Sequence, residues 1–153
     1  MNSQTAPKNR INTVLILFVL LNIIGDIGNV IFWYASPSSQ SSLVGGTTGG
    51  VEMTGGYIAQ WAGADAALAA GTIILLVVSV VYIAALFGLL KRRTWAPLLV
   101  IAISIANRVL AVFLFELSFA FVFWGVWTII LVVVAAFDYR KLSSSASAMK
   151  APA

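Results

Sequence analysis

The chain has 153 residues, 61% hydrophobic and 9% charged, against about 25% charged residues in a soluble domain; so short a chain cannot hide that much apolar surface in its own interior, and lipid must cover part of it. The formal net charge of +4 does not point to nucleic acid, because Lys and Arg sit beside the apolar runs, where cytoplasmic loops carry them. The chain has no Cys and no His, which excludes disulfides, iron–sulfur clusters and thiol chemistry; zinc, copper and bis-histidine haem sites are not expected, and no cofactor or metal is assigned.

Residues 1–10 form a polar, basic tail. The first apolar run, 11–34, crosses a hydrocarbon core of about 30 Å at roughly 1.5 Å per residue. A cleaved signal peptide would have an apolar region of about 7–15 residues ending in small side chains. This run is longer and carries Trp33 near its end, so it predicts a retained helix. Residues 35–64 form a Gly/Ser-rich extracytoplasmic loop, with turn-favouring Gly pairs at 45–46, 49–50 and 55–56. Within it, Val51 to Thr54 and Tyr57 to Gln60 are candidates for a small hairpin, and Tyr57 and Trp61 for the membrane surface.

The second span covers 66–90, with Asp65 as its expected N-cap, and Lys91, Arg92 and Arg93 end it. The third covers 95–115, with Thr94 able to cap it and Pro97 in its first turn, where proline is tolerated. So short a connection makes spans two and three antiparallel neighbours. Glu116, Leu117 and Ser118 make a tight turn into the fourth span, 119–137, which Asp138, Tyr139, Arg140 and Lys141 close at the interface. The expected architecture is all-α: one four-helix membrane bundle over 11–142, followed by a flexible tail at 143–153 with too little apolar content to fold alone.

Orientation follows from the basic residues. Lys8 and Arg10 precede span one, Lys91, Arg92 and Arg93 join spans two and three, and Arg140, Lys141 and Lys150 follow span four. All fall on one side of a four-span arrangement, and loops 35–64 and 116–118 contain neither Lys nor Arg. The positive-inside rule then places both termini in the cytoplasm. Trp33, Tyr34 and Trp61 fall at the outer interface, Trp95 and Tyr139 at the inner one.

Two charges break the pattern. Asp26 lies within span one and Arg108 within span three. Charges at such depth cost about 2.5–3.5 kcal/mol on insertion scales and usually have partners. Both lie about 20 Å from the inner edge of spans that run in the same direction. Asn22, Asp26 and Asn29 share one face of their helix, as do Ser104, Arg108 and Ala111, with Asn107 to one side. A buried polar layer is expected, with Asp26 and Arg108 as an ion pair and the Asn side chains as hydrogen-bond partners. Its role is either to fix helix packing or to line a path for protons, ions or small solutes. Glu116 lies near the outer surface, as an interfacial carboxylate or the outer end of such a path.

Small residues give a second signal: Gly63, Ala67 and Gly71 on span two, and Gly25 and Gly28 beside the polar face of span one, are spaced for close helix approach, within the chain or between copies. The aromatics of span four, Phe119, Phe121, Phe123, Trp124 and Trp127, are expected to meet lipid, neighbouring helices or another subunit.

No phosphate-binding loop, zincin motif or nucleophile elbow occurs, no histidine serves as base to a serine, and Asp26 and Glu116 differ too much in height for a paired-carboxylate site. The expectation is a non-catalytic membrane protein, not an enzyme. It is read as an accessory or structural subunit whose partners are the lipid bilayer and other membrane subunits or itself. The alternative is a small transporter or channel component using Asp26, Arg108 and Glu116.

Overall fold

A computed structural model describes residues 12–35, 57–114 and 119–148. Five helices account for nearly all of them: α1 (Thr13–Ala35), α2 (Tyr57–Ala62), α3 (Ala64–Leu90), α4 (Trp95–Leu114) and α5 (Phe119–Ala148). All but α2 are long and apolar enough to cross a membrane. Their lengths of 23, 27, 20 and 30 residues correspond to about 34, 40, 30 and 45 Å at 1.5 Å per residue.

Local chemistry sets the helix ends. Asn12 caps α1: its Oδ1 accepts the Leu15 N–H at 3.1 Å, satisfying an amide that would otherwise lack a partner. The hairpin expected near residue 57 is not formed. Tyr57–Ala62 is helical, since YIAQWA contains no Gly or Pro and two alanines that favour helix; residues 51–54 lie outside the described residues. Gly63, at φ +90°, breaks α2 from α3 in a backbone conformation that glycine alone adopts readily. It also takes the cap position of α3, so Asp65 is not the N-cap. It lies inside the first turn, where a carboxylate meets the positive end of the helix dipole.

The α3–α4 turn is hydrogen-bonded throughout. Arg92 N–H donates to the Leu89 carbonyl at 3.0 Å and Arg93 N–H to the Gly88 carbonyl at 2.9 Å. With Arg92 at φ 54° this is the Schellman ending, with arginine where glycine is usual. Gly88 allows the tight return: a Cβ there would lie 2.7 Å from Ala96 Cβ and 2.8 Å from the Trp95 ring. At the far end, α5 continues past 137 to Ala148, so much of the expected flexible tail is helix. Leaving an apolar environment does not itself break a helix, and Lys141, Leu142, Ala146 and Ala148 favour one. Ser143 and Ser144 donate to carbonyls one turn back, at 3.0 Å each.

The long helices run up and down in a ring. α1 packs on α3, α3 on α4, α4 on α5, and α5 more lightly back on α1. α2 rests on α3 and α4. Consecutive helices are therefore neighbours, and the parallel pairs, α1 with α4 and α3 with α5, lie across the bundle from each other.

The core is uneven along the bundle axis. Leu15, Val19, Ile23, Val78, Tyr82, Ala85, Leu89, Ala96, Val100, Leu131 and Ala135 form one buried cluster. All lie in or below the middle, towards the end that carries the α3–α4 turn. In the half nearer α2, the buried apolar side chains among the described residues are Ala67, Leu75 and Ala111. The outward faces are apolar throughout, with Ile24, Val80 and Phe137 each about two-thirds exposed at 65%, 65% and 66%. Such surface is stable against lipid and costly against water.

Candidate functional site

Besides Asp138, which is buried on α5 near the end with the α3–α4 turn, the polar side chains described inside the bundle gather at two heights. Counted from the end with the α3–α4 turn at roughly 1.5 Å per residue, Asp26, Ser79 and Arg108 all lie about 20 Å in. Tyr82 and Ser104 lie about one turn closer to that end.

The lower level is fully satisfied. Ser104 is buried, and its hydroxyl donates to the Val100 carbonyl one turn back at 2.6 Å. That bond uses its only proton, so at 2.9 Å the Tyr82 hydroxyl is the donor to Ser104 Oγ. The pair ties α3 to α4. Tyr82 is 1% exposed and among the largest fully buried side chains.

The upper level is not fully satisfied. Arg108 Nη2 donates to Thr128 Oγ1 at 3.3 Å, and the Thr128 hydroxyl donates to the Trp124 carbonyl at 2.9 Å. Arg108 therefore ties α4 to α5. Asp26 Oδ2 is buried with no hydrogen-bond partner among the described residues, as are Ser79 Oγ and Trp127 Nε1. The direct Asp26–Arg108 bond expected from their matching depths is not formed among the described atoms. The reason is topological: α1 and α4 are parallel and therefore diagonal, with the contents of the core between them.

The remaining sequence candidates divide. Asn22 Nδ2 donates to the Phe18 carbonyl of its own helix at 2.8 Å and not to Asp26. Asn29 on α1 and Asn107 on α4 are half-buried. Glu116 lies outside the described residues. Tyr82, Ser79, Thr128 and Trp127 belong to the site, though sequence reasoning passed over all four as polar members. A mid-span tyrosine was the available signal, since its hydroxyl requires a partner when buried.

The aromatic residues of α5 are partly ordered around this layer. Trp127 stacks on Phe18 of α1 with ring centroids 4.6 Å apart and planes at 29°. Phe123 and Trp124 meet edge to face at 5.7 Å. Of the small residues, Ala67 and Gly71 are buried, whereas Gly63 is the exposed break before α3. At Gly25 and Gly28 an added Cβ would meet nothing within 4 Å, so they do not serve close approach among the described residues.

Among the described residues, no three His, Cys, Asp or Glu side chains converge on a common point, and no residues are assigned to hold a metal or cofactor. No protein-family model, curated protein or solved structure matches the chain.

Proposed function

We propose that this is a small, non-catalytic integral membrane protein that acts as an accessory or structural subunit, packing in the bilayer against itself or against larger membrane partners. It lies with both termini in the cytoplasm and α2 on the outer side. The orientation rests on Lys91, Arg92, Arg93, Arg140 and Lys141, which share one end of the bundle, by the positive-inside rule. The carrying observation for assembly is Gly25 and Gly28. Each glycine inside a helix costs about 0.5–1 kcal/mol relative to alanine, yet among the described residues nothing comes within 4 Å of the space they leave. A neighbouring helix supplies the return, because glycine lets two backbones approach closely in lipid.

Native mass spectrometry from mild detergent tests this. The expected result is a species heavier than the 16.3 kDa chain, a homo-oligomer or a complex, which Gly28→Leu shifts towards the monomer. A wild-type chain that is monomeric throughout contradicts it. The intramembrane Asp26, whose Oδ2 is buried, favours a second reading, a small transporter or channel component. Proton or solute flux in liposomes that Asp26→Asn abolishes would replace the first reading with the second.

A further inference from the structure

The end of the bundle that carries the α3–α4 turn is strongly basic. Lys91, Arg92, Arg93, Arg140 and Lys141 are all exposed there. Among the described residues, the carboxylates lie elsewhere or inside: Asp26 is in the middle of α1, Asp65 is in the first turn of α3 at the opposite end, and Asp138 is buried on α5. Lys91, Arg92 and Arg93 follow one another, with neighbouring Cα atoms about 3.8 Å apart. Three long, exposed side chains therefore start from one point and can converge on one anion.

Orientation needs only the charge, and a loop of any shape supplies it. This turn also fixes the geometry. Lys91 N–H donates to the Phe87 carbonyl at 3.1 Å, Arg92 N–H to Leu89 at 3.0 Å and Arg93 N–H to Gly88 at 2.9 Å, while the Arg93 carbonyl accepts the Ala96 N–H at 3.2 Å. Arg92 holds φ 54°, where glycine would remove the strain of a Cβ. Glycine there would still leave Lys91, Arg93, Arg140 and Lys141 to orient the chain, so the guanidinium itself has a use. The turn joins two spans directly, Asp65–Leu90 and Trp95–Val112, which sets it at the depth of lipid headgroups. Trp95 beside it is 48% exposed, as interfacial aromatics are.

We propose that the α3–α4 turn is a binding site for the phosphate of an anionic phospholipid in the leaflet that it faces. Arg92 and Arg93 supply forked N–H donors that match phosphate oxygens, and the Lys91 ammonium adds a point charge. Trp95 meets the boundary between headgroup and acyl chain. Clusters of basic residues flanking a span attract anionic lipid in this way. A lipid suits the turn better than an acidic protein segment, because both ends of the turn enter the membrane at once and a headgroup always lies at that depth. The proposal rests on the reading of the chain as membrane-spanning and not on its assembly partners.

Native mass spectrometry of the full chain tests this, with the protein released from nanodiscs that hold equal amounts of phosphatidylglycerol and phosphatidylcholine with the same acyl chains. Each Lys or Arg near an anionic surface contributes about five-fold in affinity, the equivalent of about 1 kcal/mol. The wild type should therefore retain phosphatidylglycerol over phosphatidylcholine by about ten-fold or more. Arg92→Gly should lower that preference by about five-fold. Lys91→Gln with Arg92→Gln and Arg93→Gln should abolish it, whereas Arg140→Gln with Lys141→Gln should leave most of it. The proposal is overturned if the wild type retains both lipids equally, which would leave the turn to an acidic protein partner, or if the folded triple variant keeps the preference. Arg92→Gly, which relieves backbone strain, decides the matter if the triple variant misfolds. Inorganic phosphate should leave the preference intact; its loss would assign the turn to the free anion and overturn the lipid. Incorporation into nanodiscs of phosphatidylcholine alone checks the membrane reading separately, so a lost preference leaves that reading standing and failed incorporation removes both.

Discussion

At the residue scale, the bundle depends on a few positions where one atom decides the packing. Tyr82 is one. Its hydroxyl gives a single bond to Ser104, which keeps its own bond to Val100. Tyr82→Phe should therefore cost about 0.6–1 kcal/mol, whereas Tyr82→Ala, which empties a fully buried site, should cost about 3–5 kcal/mol. Thermal unfolding in detergent separates the two, and equal losses would contradict a mainly apolar role for the ring. Gly88 is another. Gly88→Ala places a methyl 2.7 Å from Ala96 Cβ and 2.8 Å from the Trp95 ring, so it should destabilise by about 1–3 kcal/mol. Ala96→Gly in the same chain should recover part of that loss, and purely additive effects would show that the two sites do not touch. Sequence reasoning singled out neither residue. Gly88 is one glycine inside an apolar run, and only the turn that brings Ala96 back against it reveals its role. Asn12 was missed for a similar reason: the apolar run begins before it, and the cap lies one residue inside that run.

At the element scale, the spans were legible because lipid imposes length and apolarity on them. The run 95–115 became Trp95–Leu114 and 66–90 became Ala64–Leu90. What was not legible was helix adjacency. Matching depth suggested that Asp26 and Arg108 meet, but depth fixes one coordinate and bundle order fixes the other two. Parallel helices in an up-and-down ring are diagonal, so Arg108 turns to Thr128 on the adjacent α5. The charge-reversed pair, Asp26→Arg with Arg108→Asp, should consequently assemble no better than either single variant. A clear rescue, read as yield of monodisperse protein, would contradict the geometry and restore the direct pair. The α3–α4 turn allows a gain in place of a loss. Arg92 holds φ 54°, a left-handed conformation that costs a residue with a Cβ about 1–2 kcal/mol. Arg92→Gly should raise the melting midpoint, and a fall would mean that the arginine side chain contributes more than the backbone strain removes.

At the scale of the whole molecule, composition and charge placement together account for the architecture. An outward surface with Ile24, Ile31, Val80 and Phe137 well exposed has its stable environment in lipid. Inside, the described apolar cluster lies towards the α3–α4 turn, and the level of Asp26 and Arg108 lies beyond it. The sequence signalled the polar layer through Asp26 and Arg108, but not the Tyr82–Ser104 bond below it, because that depends on how α3 packs against α4. The proposed assembly rests on one premise, that the bundle crosses the membrane with α2 on one side and the start of α1 at Asn12 and the last turns of α5 on the other. Ala62 and Ser144 are exposed at these opposite ends, and each is tested as a single cysteine in intact cells with an impermeant maleimide. Ala62→Cys should be labelled without permeabilisation and Ser144→Cys only after it; labelling of both positions from the same side would contradict the four-span bundle.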